Sequence, residues 1–203
     1  MGSSGRYIAL EGSEGCGKST QARWLADDLG AVLTREQGGT RIGSLIRGIL
    51  LDPDHTELER RSEALLNAAD RAQLIAEVIS PALDSGTHVV SDRSVYSTLA
   101  YQGYGRGLPL DELRNINDWA INGCWPHLAV LIEVDPALLE ARTSARVKDR
   151  FERESNDFHD RVRRGFADMA AASPEQWAVI DGNADAETVR ARLRTVVRER
   201  LGI

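Results

Sequence analysis

The chain has 203 residues, 42% hydrophobic and 28% charged, a composition that suits one globular domain, residues 1–203, with a full core. Its 25 Lys and Arg against 31 Asp and Glu leave a net charge of −6, which argues against a general binder of nucleic-acid polymers or anionic membranes and points to a small partner. Cys16 and Cys124 form no paired motif, the opening MGSSGRYIAL has no apolar export core, and the longest apolar run, LAVLIEV, is far below a bilayer span, so a reducing cytoplasm is the expected setting.

In chain order, the first short apolar run is RYIALEG, residues 6–12, which reads as a strand. It leads into GSEGCGKS, Gly12 to Ser19, a full G-x-x-x-x-G-K-[ST] set between a strand and a helix, where that spacing holds a polyphosphate. The glycines let backbone N–H groups turn inward on phosphate oxygens, Lys18 bridges the outer phosphates, and the Ser19 hydroxyl reaches toward Mg2+. Gly12, Ser13, Glu14, Gly15, Cys16, Gly17, Lys18, Ser19 and Thr20 are therefore placed against the nucleotide donor, with Cys16 as a small loop residue. TQARWLADDLG, residues 20–30, is a helix with a glycine stop, and AVLTREQGG, 31–39, is the second strand. LERRSEALLNAADRAQLIAEVI, 58–79, carries apolar residues at helical spacing. HVVSDR (88–93), LAVLIEVD (128–135) and WAVIDG (177–182) read as strands, and ETVRARLRTVVRERL (187–201) as a helix with Val189, Leu193, Val196 and Leu201 near one face.

Strands alternating with helices predict a mostly parallel sheet, and in such a sheet ligands bind beyond the carboxyl ends of the strands. Glu11, Arg35, Glu36, Asp92, Arg93, Asp135 and Asp181 fall at those ends. A guanine-specifying Asn-Lys-x-Asp is absent, and the chain is short for a translocating motor, which leaves a kinase acting on a small acceptor. VVSDRSVYSTLAYQGYGRGL, Val89 to Leu108, supports this: Arg93 beside the loop can touch donor and acceptor phosphates together. Ser97, Thr98, Tyr101 and Gln102 follow at helical spacing and mix hydrogen-bonding groups with a ring, as a base or sugar pocket requires. A structural salt bridge is the competing reading of Asp92 and Arg93.

The stretches EGSEGCGKSTQ, TREQGGTRIGSLIR, ALLNAADRAQL, SDRSVYSTLAYQGYGRGL and DRFERESNDFHDRVRRGF, in this order and spacing, resemble the thymidylate kinase family along nearly the whole chain. The resemblance implies a P-loop NTPase fold of α/β class with a parallel five-stranded sheet flanked by helices, a short Arg-rich lid, transfer of the ATP γ-phosphate to dTMP with Mg2+, and a homodimer. It places Arg47 and Arg93 on the dTMP phosphate and Arg71 on the thymine edge. Glu36, Asn67, Ser97, Thr98, Tyr101 and Gln102 then complete the acceptor pocket, and Ser19 and Asp92 form the metal side. Glu14 matches an acidic position facing the acceptor sugar and joins Lys18, Arg93 and Arg146 as catalytic, although a solvated glutamate is the blander reading.

The lid candidate is ARTSARVKDRFERES, residues 141–155, in which Arg142, Arg146 and Arg150 recur every four residues and would share one helix face, with Arg142 also on ATP. Like charges at that spacing repel by ~0.2 to 0.5 kcal/mol per pair, a cost an arriving phosphate reverses. The alternative is a solvated face on which Asp149 and Glu152 supply local partners. No arginine lies between Gly12 and Gly17, and family members of that kind place the catalytic arginine in the lid.

Two positions depart from the family pattern. Gln37 stands where proline is usual, which predicts a looser turn, and Asn67 stands where a phenylalanine stacks on thymine, which removes a ring from the base pocket. A deoxynucleoside kinase using Glu36 as general base on a sugar hydroxyl is the runner-up, and a noncatalytic nucleotide sensor the third reading. His55, His88, His127 and His159 have no ligand spacing, and Trp24, Trp119, Trp125 and Trp177 read as core or interface residues.

Overall fold

The computed structural model describes residues 5–143 and 148–203. Five strands form one sheet: β1 (Tyr7–Glu11), β2 (Val32–Arg35), β3 (Val89–Asp92), β4 (Leu128–Glu133) and β5 (Trp177–Asp181). Their spatial order is β2-β3-β1-β4-β5 and every pairing is parallel, as the alternation of strands and helices predicts. The connection from β1 leads to one side of the sheet and that from its neighbour β4 to the other, so the loop after β1 sits at the switch point where α/β sheets bind ligands.

The helices are α1 (Lys18–Leu29), α2 (Arg41–Leu51), α3 (Arg60–Leu74), α4 (Ser80–Asp84), α5 (Val95–Thr98), α6 (Leu110–Ile121), α7 (Pro136–Thr143), α8 (Asn156–Ala172) and α9 (Ala186–Leu201). Side chains alternate across the strands. Ile8, Leu10, Val90, Val130 and Ile132 face α1 and α9, where they meet Leu25, Val189, Leu193 and Val197. Ala129 and Leu131 point the other way, into a core with Tyr96, Leu99, Phe158, Phe166 and Trp177. With both faces covered, the strands read as continuous apolar runs rather than alternating ones.

Several expected boundaries shift. The strand expected over 31–39 stops at Arg35; Glu36 N still donates to Asp92 O at 3.0 Å, but Gly38 then takes φ 95° and donates its N–H to Asp70 Oδ1. The helix expected over 58–79 begins at Arg60 and widens into π turns at Ile75–Ile79. Helices α2, α6 and α8 were not read from the sequence, although Thr40 and Ser155 cap α2 and α8 by accepting from Gly43 N and Phe158 N. Trp177 is buried, whereas Trp119 is 86% exposed.

Arg150 does not share the helix face expected for the lid arginines. α7 is described over Pro136–Thr143, Lys148 and Asp149 are outside any helix, and Arg150 sits in a turn with its guanidinium turned inward onto Glu63 at 2.6 Å. Packing decides this, because a buried carboxylate offers the Arg150 charge more than a solvated helix face does. Arg146 lies outside the described residues.

Candidate active site

The loop side of the site is hung on the carboxyl ends of β1 and β3. The loop between β1 and α1 turns at Gly12 (φ 140°), Gly15 (φ 79°) and Gly17 (φ 95°), conformations that a side chain would strain. Gly12 also passes so close to β4 that a Cβ would lie 2.7 Å from Ile132 O. Lys18 starts α1, and its ammonium folds back over the loop to donate to Gly12 O at 3.0 Å and Ser13 O at 2.8 Å. Burial and the nearby Arg93 oppose its charge, but Cys16, Glu14 and Asp92 hold the Lys18 pKa above its ordinary value, so it is a cation. Ser19 donates its hydroxyl to Asp92 Oδ2 across the mouth.

Arg93 follows β3 with φ 77°, an uncommon backbone for a residue with a side chain. Such outliers cost about 1–3 kcal/mol and persist where the surroundings over-determine them. Here they do. The Arg93 backbone N donates to Leu10 O at 3.0 Å, and its guanidinium donates to Ser97 Oγ at 3.0 Å, Gly12 O at 3.3 Å and Tyr101 OH at 3.1 Å while pairing with Glu14. Burial works against the charge, yet Glu14, Tyr101, Glu11 and Asp92 raise the Arg93 pKa well above its usual range. Behind it, the buried Glu11 accepts from Ser94 Oγ and Ser97 Oγ, both at 2.7 Å, and so orients the Ser97 hydroxyl that Arg93 uses. Burial pushes the Glu11 carboxyl up, with Arg93 and the two serines pulling it back.

A cleft of about 650 Å³ runs from this loop into the body of the protein. Every acceptor-side residue expected from the sequence lines it: Glu36, Arg47, Asn67, Arg71, Arg93, Ser97, Thr98, Tyr101 and Gln102. Glu14, Gly15, Gly17, Lys18, Ser19, Thr20, Asp92 and Arg142 line its mouth, whereas Gly12 and Ser13 line a neighbouring cleft with Ile132, Asp135 and Asn183. Cys16 and Arg150 line neither, being turned into the core and onto Glu63. Tyr101 and Gln102 lie in a second run of π turns, Leu99–Gly105, the kind of local widening found at functional sites.

Arg71 is 2% exposed and already bound: its Nε meets Glu36 Oε2 at 2.8 Å, its terminal nitrogens meet Asn117 and Thr98, and the Glu36 pair closes to 2.6 Å. Burial pushes the Glu36 acid up to about 7 even though Arg71 pulls it down, and Glu36 Oε1 is buried without a partner among the described residues. Arg47, held toward the cleft by Gln37 O at 3.1 Å, has its pKa lowered by burial and by Arg35.

Some contributors were not singled out from the sequence. Gln37, expected only to loosen a turn, ties the turn at two points: its carbonyl holds Arg47, and its side-chain amide donates to Asn67 Oδ1. Glu63 is fully buried at the back of the pocket, where it accepts from Gln102 Nε2 at 2.8 Å and pairs with Arg106 at 3.0 Å and with Arg150. Nothing in the sequence marks it, since it is one of several charged residues in α3. Asp149 and Glu152, read as local partners for lid arginines, cap each other's backbone instead and line the cleft.

The family model described as thymidylate kinase matches residues 10–193. Among similar proteins, the thymidylate kinase of Desulforudis audaxviator is 42% identical over 97% of this chain and 94% of its own length. That of Syntrophotalea carbinolica is 45% identical over 92% of each. A crystal structure of thymidylate kinase from Ehrlichia chaffeensis, 31% identical, superposes with a TM-score of 0.80 over 96% of this chain and 99% of that one. The glycine-rich loop, the buried Arg93 beside it and the cleft beyond agree with these likenesses, and the chain belongs to the thymidylate kinase family.

Proposed function

We propose that the cleft transfers the γ-phosphoryl group of ATP to dTMP, yielding ADP and dTDP. The observation that carries this reading is Arg93, a buried cation set between the loop that would hold ATP and the pocket that would hold the acceptor. A phosphate oxygen of dTMP attacks the γ-phosphorus as the bond to the ADP oxygen breaks. That oxygen is ionised at neutral pH, so the protein needs no general base and works by positioning and charge neutralisation. Lys18 and Arg93 supply the charge, Arg47 faces the acceptor phosphate, and Arg71, Thr98, Tyr101 and Gln102 shape the nucleoside pocket. Arg71 holds Glu36 Oε2 and leaves Oε1 unpaired among the described residues, so what stands against Glu36 as a base on a sugar hydroxyl is the likeness of the chain to thymidylate kinases. Lys18, Ser19, Asp92 and Arg93 are all present, so a noncatalytic sensor has no lost group to explain it.

Ser19 and Asp92 are the residues that would hold Mg2+: two hard oxygen donors already within hydrogen-bonding contact at the mouth of the cleft. Among the described residues no cluster of three or more ligating side chains occurs, which suits an ion completed by phosphates and water. When bound, Mg2+ neutralises the charge of the phosphate chain. The proposal takes residues 1–203 as one kinase domain acting in the cytoplasm, and no helix among the described residues is long and apolar enough to cross a membrane. It also includes a homodimer, for which the neighbouring helices α2, α3 and α6 offer Leu45, Leu65 and Trp119, exposed by 62%, 54% and 86%.

An ADP-release assay coupled to NADH oxidation, run with dTMP, thymidine, dUMP or no acceptor, tests the reading. ADP release fastest with dTMP is expected; release with thymidine alone would establish the deoxynucleoside kinase, and none with any acceptor the sensor. Arg146→Ala is expected to lower kcat by at least about tenfold while moving the dTMP KM less than about threefold, because lid contacts strengthen as charge migrates in the transition state. A pure KM effect would make Arg146 a uniform binding residue.

A further inference from the structure

Resting on the reading of the cleft as a dTMP site, we propose that Asp70 is a positioning residue for the acceptor phosphate: from behind the cleft wall it fixes the turn at residues 37–39, and that turn aims Arg47. Asp70 is 1% exposed, lies where α3 packs on α2, and does not line the cleft. Its Oδ1 accepts from the buried Gly38 N at 3.0 Å, and the carbonyl of the preceding residue, Gln37, accepts from Arg47 NH1 at 3.1 Å. Two hydrogen bonds one residue apart thus join a carboxyl group on α3 to a guanidinium on α2. Arg47 also rests on the turn along its stem, since a Cβ on Gly38 would lie 2.8 Å from Arg47 Cδ and 3.3 Å from its Cβ.

The helices are shaped around this contact. A Cβ on Gly43 would lie 2.2 Å from Asp70 Oδ1, so α2 carries a glycine, which weakens a helix relative to alanine, at the place where the carboxyl group enters. One helical turn beyond Asp70, Leu74 supports the same segment: a Cβ on Gly39 would lie 2.6 Å from Leu74 Cδ1. From the other side Ser44 Oγ donates to Gly38 O at 3.3 Å. Burial pushes the Asp70 carboxyl up, while the Gly38 N–H, Arg71 and Arg47 pull it down. Its Oδ2 is buried with no partner among the described residues, an expensive arrangement that leaves the bond from Gly38 as the contact it secures. Without the carboxyl group, the Gly38 N–H loses its acceptor and the turn loses its hold on Arg47. The nucleoside end keeps its own supports, Thr98 on Arg71 and Glu63 on Gln102, so the loss should fall on the phosphate.

Thymidine, which fills the nucleoside pocket without a phosphate, is the probe that separates this role from general damage to the pocket. In Asp70→Ala the dTMP KM is expected to rise by about tenfold, equal to about 1.4 kcal/mol, while the Ki of thymidine as a competitor of dTMP and the ATP KM each stay within about twofold. Asp70→Asn keeps an acceptor for Gly38 and should return the dTMP KM to within about threefold of the parent. The double variant with Arg47→Ala should be no worse than Arg47→Ala alone, as action through Arg47 requires. Gly43→Ala favours the helix but displaces the carboxyl group, so it should reproduce Asp70→Ala, and it decides the matter if Asp70→Ala does not fold. A dTMP KM within about twofold of the parent, a thymidine Ki that rises in step with it, or single effects that multiply in the double variant would overturn the proposal. Failure of the unaltered protein to phosphorylate dTMP at all would instead remove the functional reading on which it rests.

Discussion

Lys18→Ala and Arg93→Ala are each expected to lower kcat by at least about a hundredfold, or ~2.7 kcal/mol of transition-state stabilisation. Both side chains are cations at the place where charge is redistributed, and both are held there before any substrate arrives. Lys18 rests on the carbonyls of Gly12 and Ser13, so the loop that receives the phosphates also stores the ammonium that will meet them. Arg93 spends its donors on Glu14, Ser97, Gly12 and Tyr101, and its face lies 5.1 Å from the Tyr101 ring centroid. Incoming phosphate competes with Glu14, whose side chain is 39% exposed. Preorganisation of this kind costs no rearrangement at the moment of transfer, which is why single deletions are expensive. Stopped-flow or coupled kinetics alongside thermal melts would measure the effect. Losses below about fivefold in both variants, with melting temperatures unchanged, would remove these residues from the chemistry.

The second large effect is on stability. Glu63→Ala is expected to cost ~3 kcal/mol, because breaking a buried pair strands its charged partners. For a chain of this size that lowers Tm by on the order of 10 °C. The Glu63 side chain is 1% exposed, and those of Arg106 and Arg150 are 15% and 10% exposed. Arg106 would keep Glu154, and Arg150 would keep Leu50 O at 2.9 Å and the Phe151 ring at 4.6 Å, which sets the estimate at the low end for a buried network. Glu63→Gln keeps an acceptor but loses the charge, and should fall between the two. A Tm within about 2 °C of the parent for Glu63→Ala would show that Arg106 and Arg150 are satisfied by these other partners. Since Gln102 Nε2 also donates to Glu63, the variant should weaken the acceptor pocket along with the fold.

Much of the site was legible in the sequence because its signals are local. A glycine-rich turn between a strand and a helix needs only neighbouring residues to declare it, and Gly12 to Ser19 did so. The strands were legible for a related reason: a sheet covered on both faces demands short continuous apolar runs, and β1, β3, β4 and β5 lie within the runs that were read. Arg93 and Tyr101 could be placed near the loop because strand ends gather at one edge of a parallel sheet.

What tertiary structure alone decided were pairings between residues distant in the chain. Arg150 looked like one of three lid arginines at helical spacing, but Glu63 is 87 positions away and no local pattern links the two; the buried carboxylate took the Arg150 charge. Arg71 was expected to meet the acceptor, yet how many of its donors are already engaged by Glu36, Asn117 and Thr98 depends on four separate segments meeting. Gln37 and Asn67 each looked like a loss, a proline and a ring gone from the pattern. They are 30 positions apart, and only when the turn after β2 meets α3 does one amide find the other. Local sequence declares the groups that act through their own backbone. Side chains that act through a partner are decided by what the fold buries beside them, because burial forces every polar group to find its match.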